Sequence, residues 1–309
     1  METAPYFAEL AEGPSGGTGV WLRADDGVRI RAVFWPDGAQ GTVFLFPGRC
    51  EYVEKYGRTA ANLAVRGFAT LAVDWRGQGL SDRLLTNPDI GHVQRFTDYQ
   101  FDVQACLALA DAQGLPKPWF LLAHSMGGAI GLRALTNRAP FAAAGFSAPM
   151  WGIVIAPSLK HVAATVPRIA RSMGLGGRQT PTTSPASYFL HAPFEGNFLT
   201  TDETYWAYMT RQAAFHPRFR LGGPSLTWLA EALSETYALQ TLSPPSVRTI
   251  IGVGTEEKIV DVTAMKRVAA RWATAELVVY QGAEHELLME RPDVRTAFLD
   301  RMETLFLEV

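Results

Sequence analysis

The sequence predicts an α/β fold: a mostly parallel central sheet flanked by helices, with a helical segment inserted between two of its strands. Three observations carry this. Short apolar runs alternate with helical-period segments through the first half of the 309 residues, the rhythm of a parallel sheet covered on both faces. Between Ala148 and Val247 that rhythm stops and only helical patterns remain. It resumes from Thr249. The expected division is a core of residues 1–147 and 248–309 with a helical cap at 148–247.

The elements follow in order. Gly13–Gly19 reads as a flexible leader. Trp21–Ala24 and Val28–Phe34 read as strands around Asp25-Asp26-Gly27, a hairpin signal. Thr42–Phe46 is a buried strand ended by Pro47-Gly48. Val53–Arg66 has helical spacing with Gly67 just beyond it, and Thr70–Val73 is the next strand. Thr97 and Gln100 form a capping-box pattern ahead of a helix reaching Ala112. Trp119–Ala123 is a strand, Met126–Arg138 a helix and Ala142–Phe146 a strand. In the insertion, helices are expected over Leu159–Met173, over Asp202–Phe215 and around Leu226–Tyr237. Then come strand Thr249–Val253, helix Thr263–Arg271, strand Glu276–Tyr280 and a last helix from Pro292.

Composition excludes several classes. Hydrophobic residues make up 48 % and charged residues 19 %, so the disorder signature is absent. The net charge of −2 lacks the basic excess of a nucleic-acid binder. Two cysteines, Cys50 and Cys106, build neither a disulfide framework nor a multi-cysteine metal cluster. No H-E-x-x-H pair occurs, and Arg76-Gly77-Gln78-Gly79 reads as a tight structural turn rather than a phosphate loop. No metal or cofactor is expected. The N-terminus does not read as a secretory signal. The most apolar stretch, Ala139–Ala156, is broken by Gly145, Pro149 and Gly152. A cytoplasmic protein is the expectation.

The strongest chemical signal is Ala123-His124-Ser125-Met126-Gly127-Gly128, where a buried strand runs into small residues and then a helix. That is the pattern of a nucleophile elbow, with Ala123 in place of the first glycine. A serine there can also merely cap a helix. Strand before, helix after and matching partners elsewhere favour the nucleophile. The Met126 N–H supplies one oxyanion donor, and the Arg49 N–H in Phe46-Pro47-Gly48-Arg49 is the candidate second. Of six histidines, His285 follows the final strand in a loop and is the candidate base. His124 reads as a packing neighbour. The acid is sought after Ile250–Val253, where Glu257 is chosen, with Glu256 and Asp261 as alternatives.

These pieces carry a resemblance. The chain resembles the α/β-hydrolase superfamily, in its lysophospholipase and monoacylglycerol-lipase-like branch, bacterial lysophospholipase L2-type proteins above all. It is carried by FPGRCEYVEKY at Phe46–Tyr56, DWRGQGLSDR at Asp74–Arg83, AHSMGG at Ala123–Gly128, GGPSLTWL at Gly222–Leu229, TEEKIVD at Thr255–Asp261 and AEHELLMER at Ala283–Arg291. The resemblance places the family's nucleophile on Ser125, its histidine on His285 and its acid on Glu257. The family usually has Asp at the last position, and His-Gly where this chain has Pro47-Gly48. It implies hydrolysis of carboxylic esters with a long acyl chain and no cofactor. The expected partner is a small lipid ester, a lysophospholipid or a monoacylglycerol.

The cap carries 8 Lys or Arg against 5 Asp or Glu between Ala148 and Arg248. Leu159, Val162, Val166, Ile169 and Met173 with Lys160, Arg168 and Arg171 form a weakly basic amphipathic stretch. Its apolar face is expected to cover the sheet; the competing reading is peripheral contact at the inner membrane surface. Phe194, Phe198, Tyr205, Trp206 and Tyr208 are candidates for an acyl pocket or for cap core. Two rival functions remain in view: a proline-iminopeptidase-like serine peptidase, and a non-catalytic hydrolase-like ligand receptor.

Overall fold

A computed structural model describes residues 1–156, 165–166, 169–181, 183–184 and 186–309. Its centre is a nine-stranded sheet. The strands are β1 (Glu2–Thr3), β2 (Thr18–Arg23), β3 (Arg29–Trp35), β4 (Thr42–Phe46), β5 (Ala69–Asp74), β6 (Trp119–His124), β7 (Ala143–Ser147), β8 (Arg248–Gly254) and β9 (Ala275–Tyr280). Their order is β1-β2-β3-β5-β4-β6-β7-β8-β9. The pairs β1–β2, β2–β3 and β3–β5 are antiparallel; the others are parallel.

The apolar runs read from the sequence fall on β2 to β9 with ends that differ by up to three residues; β1, and the start of β2 at Thr18 within the segment read as a flexible leader, were not anticipated. The inner strands β4, β5, β6 and β7 are buried throughout because both faces are covered. Alternate residues separate into two cores, as a period of two requires. Phe44, Phe46, Leu121 and Ala123 join one cluster; Val43, Leu45, Phe120 and Leu122 join the other. Helices close both sides: α1 (Ala8–Ala11), α2 (Gly57–Val65), α3 (Tyr99–Ala112), α4 (Met126–Thr136), α5 (Tyr188–His191), α6 (Glu203–Phe215), α7 (Leu226–Thr241), α8 (Val262–Arg271) and α9 (Pro292–Leu307). Helices α5, α6 and α7 fall between β7 and β8.

The details differ from expectation in places. A 3-10 turn at Val53–Tyr56 precedes α2, so the Val53–Arg66 segment is not one continuous helix. The box at Thr97 and Gln100 does not form. A 3-10 turn, Phe96–Asp98, leads into α3; the Asp98 carboxylate accepts the Arg95 N–H at 3.1 Å, and Gln100 donates to the Ile130 carbonyl at 3.1 Å. Much of the helix expected over Leu159–Met173, with Lys160, His161, Val162 and Arg168, lies outside the described residues. Its described apolar members Val166, Ile169 and Met173 are exposed, so they do not cover the sheet as expected.

The Asp74–Arg83 segment is structural, as its sequence suggests. At Gly79 (φ +54) an added Cβ would lie 2.2 Å from the Asp74 carboxylate. Asp74 accepts from Val53 N–H and Leu80 N–H at 2.8 and 2.7 Å. Arg31 stands between this carboxylate and that of Glu54, donating at 2.8 Å to the first and 2.7 Å to the second. All three side chains are fully buried. The network joins β3, β5 and the turn before α2, which carries the loop after β4.

Replacing Arg31 with Met leaves Asp74 and Glu54 buried without their cation. Loss of one partner from such a cluster costs about 3–5 kcal/mol. Urea unfolding of Arg31→Met is expected to show a loss of that order, and an unchanged midpoint would contradict it.

Candidate active site

Ser125 lies between β6 and α4 at φ 49° and ψ −117°. A non-glycine residue with positive φ is strained and persists only where its surroundings fix it. Here the Ser125 N–H donates to the Ser147 carbonyl at 3.0 Å, and the Ser125 carbonyl accepts from Gly128 and Met150 N–H at 2.8 Å each. The small residues are a packing requirement. A Cβ on Gly127 would lie 2.1 Å from the Phe46 carbonyl oxygen, and one on Gly128 would lie 2.5 Å from Pro149 Cβ. Ala123 substitutes for glycine because Gly131 faces it: a Cβ on Gly131 would stand 3.3 Å from Ala123 Cβ.

The structure brings the predicted residues together. Ser125 Oγ is 2.9 Å from His285 Nε2, and His285 Nδ1 is 2.6 Å from Glu257 Oε2. With the Nδ1 proton directed at the carboxylate, Nε2 is left to accept from the serine hydroxyl. Glu257 Oε1 accepts the Ile259 and Val260 N–H groups at 2.6 and 3.0 Å. Burial would raise the Glu257 carboxyl, but the His285 imidazole and these N–H groups outweigh it and hold the carboxyl below its usual range. The alternatives point elsewhere. Glu256 is exposed, and Asp261 caps α8 through Thr263 and Ala264 N–H at 2.9 and 3.1 Å.

Ser125, Glu257, His285 and the Arg49 loop all follow the carboxyl ends of parallel strands, where open α/β sheets place ligands. Met126 opens α4, so its N–H is among those without an intrahelical acceptor. In the opposing loop, Gly48 N–H donates to the Glu51 carboxylate and Cys50 N–H to Gln78 Oε1. Among the described residues no acceptor is assigned to the Arg49 N–H between them. Gln78 also donates to the Gly48 carbonyl at 2.8 Å. The turn around Gln78, read from sequence as purely structural, therefore supports this loop.

Sequence reasoning missed an ionic cluster beneath the site. Lys55 Nζ lies 2.5 Å from both Glu51 and Glu286 carboxylates. His124 Nε2 is 3.3 Å from Glu286, and its Nδ1 is 3.0 Å from the Ser147 carbonyl. Tyr56 donates to Glu51 at 2.6 Å. His124 is thus more than a packing neighbour. Burial opposes its charge, but Glu286 and Glu51 prevail and raise its pKa above 6.5. Burial likewise opposes the Glu286 anion, yet Lys55 and His124 hold it well below 4.5. Glu51, His124 and Glu286 present donor atoms within 4.8 Å of one another, a metal-like grouping. The Lys55 ammonium already supplies the cation there. No local sequence signal marks it, since Lys55 and Glu286 are 231 positions apart.

A cavity of about 440 Å³ opens on Ser125 and His285. Its remaining wall is largely apolar, with Met150, Ile153, Trp228, Leu229 and Val260. Of the five cap aromatics weighed for an acyl pocket, Phe198 alone lines it. Tyr205, Trp206 and Tyr208 are buried in a core cluster, against which Phe194 packs. Phe198 and Leu199 carbonyls accept from the His285 and Glu286 N–H groups at 3.4 and 2.8 Å. A cleft of similar volume, about 530 Å³, lies at Arg248, Glu276 and Arg301 but is remote from the nucleophile. Among the described residues no helix is long and apolar enough to cross a membrane.

Glu286 adds stability above its ordinary value of 4.5, and that contribution is lost as pH falls through its depressed folded value. Lys55→Met takes the shared ammonium from two buried carboxylates, leaving Glu286 with His124 and Glu51 with Tyr56 and Gly48, at a cost of up to about 3–5 kcal/mol near neutral pH. The deficit relative to wild type is expected to shrink as pH falls below 4.5, because a proton then replaces the ammonium. Denaturant midpoints across this range check it; a pH-independent deficit would contradict the pairing.

A family model described as serine aminopeptidase, S33, matches residues 37–292. Lysophospholipase L2 of Escherichia coli strain K12 is 32% identical, the match covering 97% of this chain and 92% of its own. The probable lysophospholipase L2 of Haemophilus influenzae is 30% identical over 86% of this chain and 83% of its own. A soluble variant of monoglyceride lipase from Saccharomyces cerevisiae superposes at TM-score 0.70 and 21% identity, covering 92% of this chain and 93% of that one. A carboxyl esterase from Bacillus coagulans superposes at 0.74 and 15%, covering 94% and 98%. These two structures show the shared fold. Matched over most of its length, the chain belongs to the serine aminopeptidase, S33, family of α/β-hydrolases and is a carboxylic ester hydrolase resembling lysophospholipase L2.

Proposed function

We propose that the protein is a serine hydrolase that cleaves the acyl ester of a lysophospholipid or monoacylglycerol through Ser125, His285 and Glu257. The observation that carries this is the unbroken hydrogen-bonded chain from Ser125 Oγ through His285 to Glu257, at 2.9 and 2.6 Å. In this reading His285 takes the serine proton as Ser125 attacks the ester carbonyl. Met126 and Arg49 N–H groups stabilise the oxyanion. His285 then protonates the leaving glycerol oxygen, and water releases the fatty acid from the acyl-enzyme. Glu257 fixes the imidazole tautomer and stabilises imidazolium.

Residues 148–247 act as the cap over a core of 1–147 and 248–309. The apolar cavity wall suits an acyl chain. Peripheral contact with a membrane surface through the cap belongs to the same reading, supported by exposed Val154, Ile169, Met173 and Phe198. A cytoplasmic placement completes it, and cell fractionation with vesicle co-sedimentation tests both.

The family's description favours one rival, a peptidase acting on a free amino terminus. Such a site needs an available carboxylate. The carboxylates lining the cavity, Glu51 and Glu286, are both held by Lys55, which weighs against it.

The first experiment is fluorophosphonate labelling with a substrate panel: lysophosphatidylcholine, monoacylglycerol, short p-nitrophenyl esters and proline arylamides. Labelling at Ser125 and acid release from the lipid esters are expected, with labelling abolished in a folded Ser125→Ala variant. Turnover of arylamides alone would favour the peptidase. Tight binding of a small ligand without labelling or turnover would favour a receptor. Glu257→Gln is expected to lower kcat by about 10³–10⁴-fold, because the imidazole loses its enforced tautomer. A loss within tenfold would remove Glu257 from the proposed triad.

A further inference from the structure

We propose that the Arg49 side chain is a subsite for the phosphodiester of the substrate, so that the cavity is built for lysophospholipids over neutral monoacylglycerols. This rests on the ester-hydrolase reading above and names which substrate class it serves.

Arg49 is the only Lys or Arg lining the catalytic cavity among the described residues. Its guanidinium donates to the Gly222 carbonyl, lies 3.1 Å from Cys50 Sγ and sits 5.3 Å above the Trp228 ring. Its Nε has no hydrogen-bond partner among the described residues. It pairs with no carboxylate among the described residues. Arg31, Arg76 and Arg133 instead meet Glu54, Asp102 and Glu235, whereas Arg83, which does not line this cavity, also meets no carboxylate among the described residues. A half-buried cation without a counter-ion is costly. The cost is recovered when an anion arrives.

The wall around it leaves room for the group. Gly91 packs against the guanidinium: a Cβ there would stand 2.7 Å from Arg49 Nη2. The loop carrying Gly222 is held by Gly222 N–H to the Asp89 carbonyl at 2.8 Å and Ser225 N–H to the Gly91 carbonyl at 2.8 Å. The guanidinium is therefore fixed by backbone and by an aromatic face rather than by an opposing charge. A guanidinium recognises a phosphodiester through paired N–H donors. The position suits the substrate as well. The backbone of Arg49 faces the reacting carbonyl in the proposed mechanism, and its side chain extends from there along the cavity wall. A lysophospholipid has the same layout, with its phosphate separated from the ester by the glycerol carbons. The apolar remainder of the wall takes the acyl chain.

Two measurements test this on the whole protein. In the first, wild-type turnover of a p-nitrophenyl ester is inhibited with glycerophosphocholine, glycerol or inorganic phosphate at equal concentrations. Glycerophosphocholine is expected to raise KM with kcat unchanged, well beyond the effect of glycerol. Equal effects of those two would overturn the subsite. Inhibition by inorganic phosphate as strong as by glycerophosphocholine would overturn the headgroup assignment in favour of free phosphate. In the second, kcat/KM is measured below the micellar range for lysophosphatidylcholine and monoacylglycerol of one acyl length. Arg49→Met is expected to lower the ratio of the two by about tenfold or more, the loss of a charge-assisted contact, with partial recovery in Arg49→Lys. Loss of both activities by one factor would show that Arg49 only supports the loop. Should Arg49→Met not fold, the wild-type inhibition decides alone. Failure of the underlying hydrolase reading looks different: wild type would take no fluorophosphonate and release no fatty acid from either ester.

Discussion

The reacting centre depends on one backbone constraint, a serine held in the left-handed region between a buried strand and a helix. That conformation costs about 1–3 kcal/mol for a non-glycine residue. It survives because both peptide groups of Ser125 are taken, one by Ser147 and the other by Gly128 and Met150. The tight turn forces α4 against β4 and against the segment after β7. Only hydrogen atoms fit at Gly127 and Gly128 there. The same turn places the N-terminus of α4 beside Ser125, so strain and glycine placement have one cause, and the proposed oxyanion donor Met126 shares it.

A serine fixed in this way is useful only if its partners are fixed as well, and they arrive on separate loops. Lys55 supplies the link. Its ammonium joins Glu51, beside the Arg49 loop, to Glu286, the neighbour of His285, while Glu286 approaches His124, the neighbour of Ser125. A well-packed apolar cluster of the same volume would be about as stable. What the charges add is direction, since each carboxylate oxygen fixes the position of the loop that bears it. Arg31 does the same one layer away, tying the turn before α2 to β3 and β5. Gln78 completes the support by holding both sides of the Arg49 peptide region through Gly48 and Cys50.

How much of this was legible follows from where the information resides. Strands buried on both faces announce themselves as apolar runs, and Thr42–Phe46 was read to the residue. The elbow was legible because its small residues are local in sequence. The acid was read as Glu257, with Glu256 and Asp261 as alternatives that the sequence alone left open. The choice of Glu257 over Glu256 and Asp261 rests on which side chain turns inward, and the backbone N–H groups of Ile259 and Val260, two and three positions on, decide that. The Lys55 cluster was invisible for a different reason: its members are 231 positions apart at their widest, and a charged residue on a helical segment reads as solvated. The capping box at Thr97 failed because Asp98 closes the preceding turn first. Tyr205, Trp206 and Tyr208 were indistinguishable from pocket residues by type; Tyr208 is committed elsewhere, donating to the Ala11 and Glu54 carbonyls.

The unpaired charge in the cavity then separates chemistries that the fold does not. An α/β-hydrolase with a Ser–His–acid arrangement can serve peptides, esters or neutral lipids, because the triad acts only on the carbonyl. The rest of the substrate is recognised by whatever charge the wall leaves uncompensated. Here the two carboxylates on the wall share the Lys55 ammonium before any ligand arrives, and Glu286 also faces His124. They offer little to an ammonium group. Arg49 is left without a carboxylate partner and keeps its charge for a ligand. The charge at that one point of the wall is positive, so the group that pairs with it is an anion. In the proposed subsite that anion is the phosphodiester of a lysophospholipid, which a monoacylglycerol lacks.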